Sequence, residues 1–183
     1  MLWAIVGVFA LILMLFLWLF NSLVGLRNLL KNSWSDVDVY LKRRAELIPN
    51  LVTAVQAYAA HEKTLLEALA QARSEASTLG GPSPQKAAAE SEVGSRVYQA
   101  LMLVEAYPDL KASNNFMQLQ KELSDTEKQI ASARQYYNAV VRDYNIKLEA
   151  FPSSLVAGMM ALKPAEFFEV DTADEREAPS VAG

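Results

Sequence analysis

The 183-residue chain has no cysteine and one histidine, His61. The first absence excludes disulfides, thiol nucleophiles and thiolate metal sites, and it fits a reducing compartment. The second excludes a metal centre built from several histidines of one chain. His61-Glu62 opens like the helical zinc-protease motif, but the second histidine is due at position 65, where Leu65 stands. Glycine is scarce, at seven residues. Gly80-Gly81-Pro82 lacks the lysine and the helix signature of a phosphate loop. No serine has a histidine placed to activate it, other than His61 itself. Strand-like alternation is also missing. These gaps predict an all-α fold without an enzymatic site, a cofactor or a bound metal.

Charge of one sign is lacking over most of the chain. Residues 22–150 carry 15 Lys and Arg against 15 Asp and Glu, so no basic field is available for nucleic acid. Residues 151–183 carry 2 against 6, and 171–183 read as an acidic disordered tail.

What the chain does have is an apolar run. Leu2 to Phe20 contains no charge, amide or hydroxyl, and as a helix it measures roughly 28 Å, about the thickness of a bilayer's hydrocarbon core. Trp3 and Trp18 stand near its ends, where indoles favour the interface. A secretory signal would want a basic start, a shorter run and a small-residue cleavage site; here only the Met1 amine precedes the run and Asn21-Ser22-Leu23-Val24 follows it. Residues 1–21 therefore read as a retained transmembrane anchor and 22–170 as one helical domain. Arg27, Lys31, Lys42, Arg43 and Arg44 follow the span, which predicts an outside N-terminus and a cytoplasmic body at a bacterial inner membrane.

Helical periodicity fills the body. Leu26, Leu30, Trp34, Val37, Leu41, Ile48, Leu51 or Val52, Val55, Tyr58, Leu65 and Leu69 form one stripe of threes and fours, with Ala45 filling a gap. It predicts a first helix running to Leu79, with a kink or break near 45–49 from Pro49. A second helix is expected over about Gln85–Ala106. The third, Asn114–Phe151, carries Phe116, Leu119, Leu123, Thr126, Ile130, Ala133, Tyr137, Val140, Tyr144, Leu148 and Phe151, a coiled-coil-like seam. A short fourth is expected over Leu155–Leu162.

Candidate interaction residues lie in the first helix. Asp36 and Asp38 point about 160° apart on a helix, so they do not form a carboxylate pair, and Asp38 with Lys42 makes an i,i+4 surface pair. Arg43 and Arg44 stand about 34 Å past the span, beyond several Debye lengths of a membrane surface, and read as solvated or paired with an acid on a neighbouring helix. Pro49-Asn50 reads as a kink, and His61 with Glu62 as a polar contact on another helix.

The run from Asn32 to Val52, Tyr58-Ala59-Ala60-His61-Glu62, Ala72-Arg73-Ser74, the block Tyr137 to Asn145 and Phe151-Pro152-Ser153-Ser154-Leu155-Val156-Ala157 together resemble the bacterial LemA family, from the anchor to about Phe168. The resemblance implies a single-pass membrane protein whose soluble part is an antiparallel four-helix bundle with a very long first helix. It implies no established enzymatic activity. It also implies a possible membrane protein partner, since members are often linked with membrane zinc metalloproteases.

In such a bundle the start of the first helix overhangs its shorter neighbours. Leu23, Leu26, Leu30 and Trp34 are then expected to lack partners in their own chain and to form a homo-oligomer interface. The fourth helix, with Leu155, Val156, Met159, Met160 and Leu162, is apolar almost all round. It reads as a short core helix, or as one that docks on membrane lipid or a neighbouring subunit; Lys163 alone supplies the charge an interfacial helix prefers. Two functions follow: a membrane scaffold that self-assembles, or an adaptor for another membrane protein.

Overall fold

In the computed structural model, residues 1–59 and 61–169 are described, and among them all regular elements are helical. Helix α1 spans Leu2–Tyr58, α2 Lys63–Thr78, α3 Pro84–Leu103, α4 Pro108–Lys111, α5 Asn114–Glu149 and α6 Ser153–Met159; a 3-10 turn, Val104–Ala106, follows α3. The sequence-predicted acidic tail, 171–183, lies outside the described residues.

Of the kink or break expected near Pro49, the break does not occur. α1 runs through Pro49 and stops at Tyr58. Proline has no N–H to give to the carbonyl four residues back, Ala45. That orphaned oxygen instead accepts from Arg73 Nε of α2 at 2.6 Å. The real interruption, 59–62, carries neither proline nor glycine. It falls where the stripe has no large apolar residue between Tyr58 and Leu65. Ser83 caps α3 by accepting from Lys86 N, with Pro84 in the first turn, where its missing N–H is harmless. Pro108 opens α4 in the same way.

The chain forms two compact units, and α1 and α5 contribute to both. One comprises residues 1–38 and 132–166; the other comprises 39–131 and the stretch from Phe167. In the second, Ile48, Leu51 and Val55 of α1 share a core with Leu66 and Leu69 of α2, Val93 and Val97 of α3, and Phe116 and Leu123 of α5. The first holds a smaller core of Leu19 and Leu23 from α1, Tyr144 and Leu148 from α5, and Val156 and Ala157 from α6. The α5 seam is buried as far as Leu148, but Phe151, its expected last member, lies beyond the helix and is 81% exposed.

Helix α6 ends two residues past Met159 in a specific way. Leu162 N donates to Ala157 O at 3.1 Å and Ala161 N to Gly158 O at 3.0 Å. Ala161 sits at φ 49°, the left-handed position that closes such a motif and that glycine usually occupies. The predicted end at Leu162 was late because alanine gives no sign of a cap.

Candidate functional site

Two places in the described structure carry unusual chemistry: the junction of the apolar helix with its unit, and a cluster of buried charges in the other. α1 is the one helix long and apolar enough to cross a membrane, and only 6% of its most apolar window is buried. A core helix of a soluble protein would be mostly covered. The span nevertheless does not end in a loose linker. Leu19 is 4% exposed and Leu23 fully buried against α5 and α6, with Phe16, Leu26 and Leu30 packed around them. Trp34 meets the Tyr137 ring edge-on, with centroids 5.6 Å apart. The expectation that Leu23, Leu26, Leu30 and Trp34 lack partners in their own chain is therefore corrected. The cause is α5, whose last turns, followed by α6, cover exactly the stretch of α1 that was counted as overhanging.

Polar groups of α5 fasten the segment after α6. Asn145 grips Ala165 at two points, accepting from its N at 2.8 Å and donating to its O at 3.0 Å. Tyr137 donates to Glu166 O at 3.0 Å. Burial, helped by the Glu166 carboxylate, pushes the Tyr137 phenol up to about 12. Burial also raises Tyr144, against the lowering effect of the Arg27 guanidinium. Ser153 Oγ reaches Lys147 O at 2.7 Å and Ala150 O at 2.8 Å, covering open carbonyls at the end of α5. Lys147 Nζ lies 5.2 Å from the centroid of the Trp18 ring, a cation over an indole face.

In the other unit, Arg44 is 3% exposed. Its Nη2 meets Glu90 Oε2 at 2.6 Å and Glu90 O at 2.8 Å, and its Nη1 meets Glu127 Oε1 at 3.1 Å. Lys86 Nζ pairs with the other Glu90 oxygen at 2.7 Å and donates to Ala76 O, near the end of α2, at 2.6 Å. A buried guanidinium is tolerable only with such partners. Arg44 Nε is the one buried side-chain polar atom, among the described residues, without a hydrogen-bond partner. Gly94 leaves the room: a Cβ there would stand 3.1 Å from Arg44 Nη1. The arrangement pairs buried charges from α1, α3 and α5.

The other sequence-predicted residues do not converge. Asp36, Arg43, Pro49 and Asn50 are exposed and Asp38 is half-buried. His61 is exposed, and Glu62 begins α2, its carbonyl accepting from Leu66 N at 3.3 Å. The expected contact of His61 with another helix is corrected: it lies in the break between α1 and α2, where the chain turns at the surface. In α6, Val156 is buried and Met160 and Leu162 pack on the core, while Leu155 and Met159 are 63% and 76% exposed. Among the described residues no group of three His, Asp or Glu is close enough to hold a metal. Sequence reasoning missed Lys86, Glu90, Glu127 and Asn145. The first two could have been found by extending the Val93–Val97 stripe backwards, since 86, 90, 93 and 97 share one face.

The comparisons agree with the structure. The chain is 26% identical to Protein LemA of Metamycoplasma hominis over 81% of its length and 68% of that protein's. It is 24% identical to Magnetosome protein MamQ 2 of Paramagnetospirillum magneticum, over 82% of this chain and 64% of the relative. Magnetosome protein MamQ of Magnetospirillum gryphiswaldense is 23% identical over 81% and 64%. The chain thus spans slightly less than two thirds of the magnetosome proteins, and none of these names denotes an enzyme. The LemA family model matches residues 33–182, a stretch that includes both the buried charges and the Tyr137–Asn145 fastening. With its apolar helix and this match, the chain is a membrane protein that belongs to the LemA family.

Proposed function

We propose that the protein is a non-enzymatic, membrane-anchored helical scaffold that self-assembles and organises or shapes the bilayer. The observation that carries this reading is the burial of Leu19 and Leu23 in the same core as α5 and α6. A tethered adaptor needs only a flexible link between span and body. Here the last turns of the span are part of a folded unit, so any orientation that unit takes is imposed on the helix in the lipid. The same burial favours a retained anchor, since cleavage after Phe20 would remove Leu19 from the core. Exposed Arg27 and Lys31 just past the span favour a body on the cytoplasmic side of a bacterial inner membrane. Two relatives named as magnetosome proteins support a role at a membrane.

The covered stretch from Leu23 to Trp34 no longer supports self-assembly, which rests on the rigid junction and on the exposed apolar residues elsewhere. Mass of the protein extracted in mild detergent tests it. A large, uniform homo-oligomer is expected. A monomer that copurifies with one membrane protein, such as a zinc metalloprotease, would replace the scaffold with an adaptor.

A further inference from the structure

Leu155 and Met159 are spaced by four and so share one face of α6, and Phe151 stands in the turn just before it, at the corner where α5 gives way to α6. All three are exposed, at 81%, 63% and 76%. The opposite face of α6, through Val156 and Ala157, packs in one core with Leu19, and Phe16 lies against that core. Phe16 and Leu19 belong to the apolar span itself. A helix of seven residues in contact with that part of the span sits at the depth of the span's last turns. The geometry points to a second membrane contact: Phe151, Leu155 and Met159 insert into the leaflet adjoining the body, beside the anchor.

Three features favour lipid over a protein occupant. Leu15 and Trp18, the neighbours in the span of the Phe16 and Leu19 that meet the α6 core, are themselves exposed. Lys147, over the Trp18 ring, puts an ammonium and an indole together at the height where headgroups meet acyl chains. Lys163, exposed shortly beyond α6, adds a second cation for anionic headgroups. The thinness of basic charge around α6 in the sequence is thus made good in part by α5. Flexible methionine suits the irregular packing of acyl chains. The inference rests on the membrane reading of Leu2–Phe20 and not on self-assembly.

The chain lacks cysteine, so single-cysteine labelling needs no background removal. Leu155→Cys and Met159→Cys, both at exposed positions, are labelled with an environment-sensitive fluorophore. The full chain is placed in vesicles of three parts phosphatidylcholine to one of phosphatidylglycerol. Phe9→Cys in the span and Met117→Cys in the other unit serve as references. Nitroxide on lipid acyl chains should quench the labels at 155 and 159 as it quenches that at 9, and water-soluble nitroxide should spare them. Quenching by the aqueous reagent, as at 117, would overturn the inference. Labels shielded from both quenchers would mean that a second copy or another protein covers the corner, which overturns it equally. Failure of lipid quenching at 9 would remove the anchor reading itself and the inference with it.

Discussion

The two units are threaded by the same two long helices yet hold themselves together differently. In the anchor-bearing unit the inward positions of α1 and α5 are apolar or aromatic apart from Ser33, whose hydroxyl donates to Leu30 O of its own helix, and polar groups act at the margin, where Asn145 and Tyr137 fasten the segment after α6. In the other unit one layer of the seam is ionic, with Arg44 enclosed by Glu90, Glu127 and Lys86. Apolar packing is tolerant of register, because leucine fits against leucine one turn along. A charged layer has only one alignment that pairs every group, and any slip leaves a bare charge in the core. The contrast assigns the charged layer to alignment of α1, α3 and α5, and the apolar junction to cohesion with the span.

The largest effect should come from opening the charged layer. Glu90→Ala leaves Arg44 and Lys86 buried near each other and should lower stability by about 3–5 kcal/mol in denaturant titration of the full chain. Combining Arg44→Met, Lys86→Met and Glu90→Leu should restore stability to within about 1 kcal/mol of the parent, since apolar replacements of buried ion pairs are commonly neutral. If Glu90→Ala were silent, the two units would not differ in the way described. Asn145→Ala, which removes two hydrogen bonds to Ala165, should lower stability by about 2 kcal/mol.

Tyr137→Phe sharpens the comparison by pH. Loss of its bond to Glu166 O should lower stability by about 1 kcal/mol at neutral pH. The folded protein holds the phenol proton more tightly than the unfolded chain, with a value near 12 against 10.0. The contribution is therefore complete below pH 10 and lost as pH rises from 10 towards 12. The parent should lose stability across that window more steeply than the Phe variant, followed by thermal melting. Ala161→Gly is the smallest change and should stabilise: it relieves a left-handed alanine by about 1 kcal/mol.

Helix type and the approximate extents of α3 and α5 were legible because the stripes of threes and fours are long, but the number was not, since the first expected helix is two, α1 and α2, and α4 was not foreseen. The anchor was legible because an uncharged apolar run has few other uses. The end of α1 at Tyr58 was hidden, since Ala59, His61 and Glu62 all tolerate a helix. Pro49 does not break α1, because Ala45 O is satisfied by Arg73, which lies 28 residues away in sequence. Arg44 was legible in part. It falls on the 37, 41, 44, 48, 51 face with Val37, Leu41 and Ile48, and of the two expected states, solvated or paired with an acid on a neighbouring helix, the structure has the second, with Glu90 and Glu127. A stripe shows which positions face inward and cannot show which acid on another helix waits there. The supposed overhang failed for a similar reason, as lengths alone did not say which helix starts opposite which.

Hydrogen exchange of the full chain in lipid nanodiscs tests the central claim, that the span is part of a folded unit and not a tether. The informative stretch is 20–30, past the apolar run and before Trp34. The account predicts that its amides exchange as slowly as those of 137–148 in α5, since Leu23, Tyr144 and Leu148 share one core. Fast exchange across 20–30, with 137–148 still protected, would show a flexible tether and contradict the account.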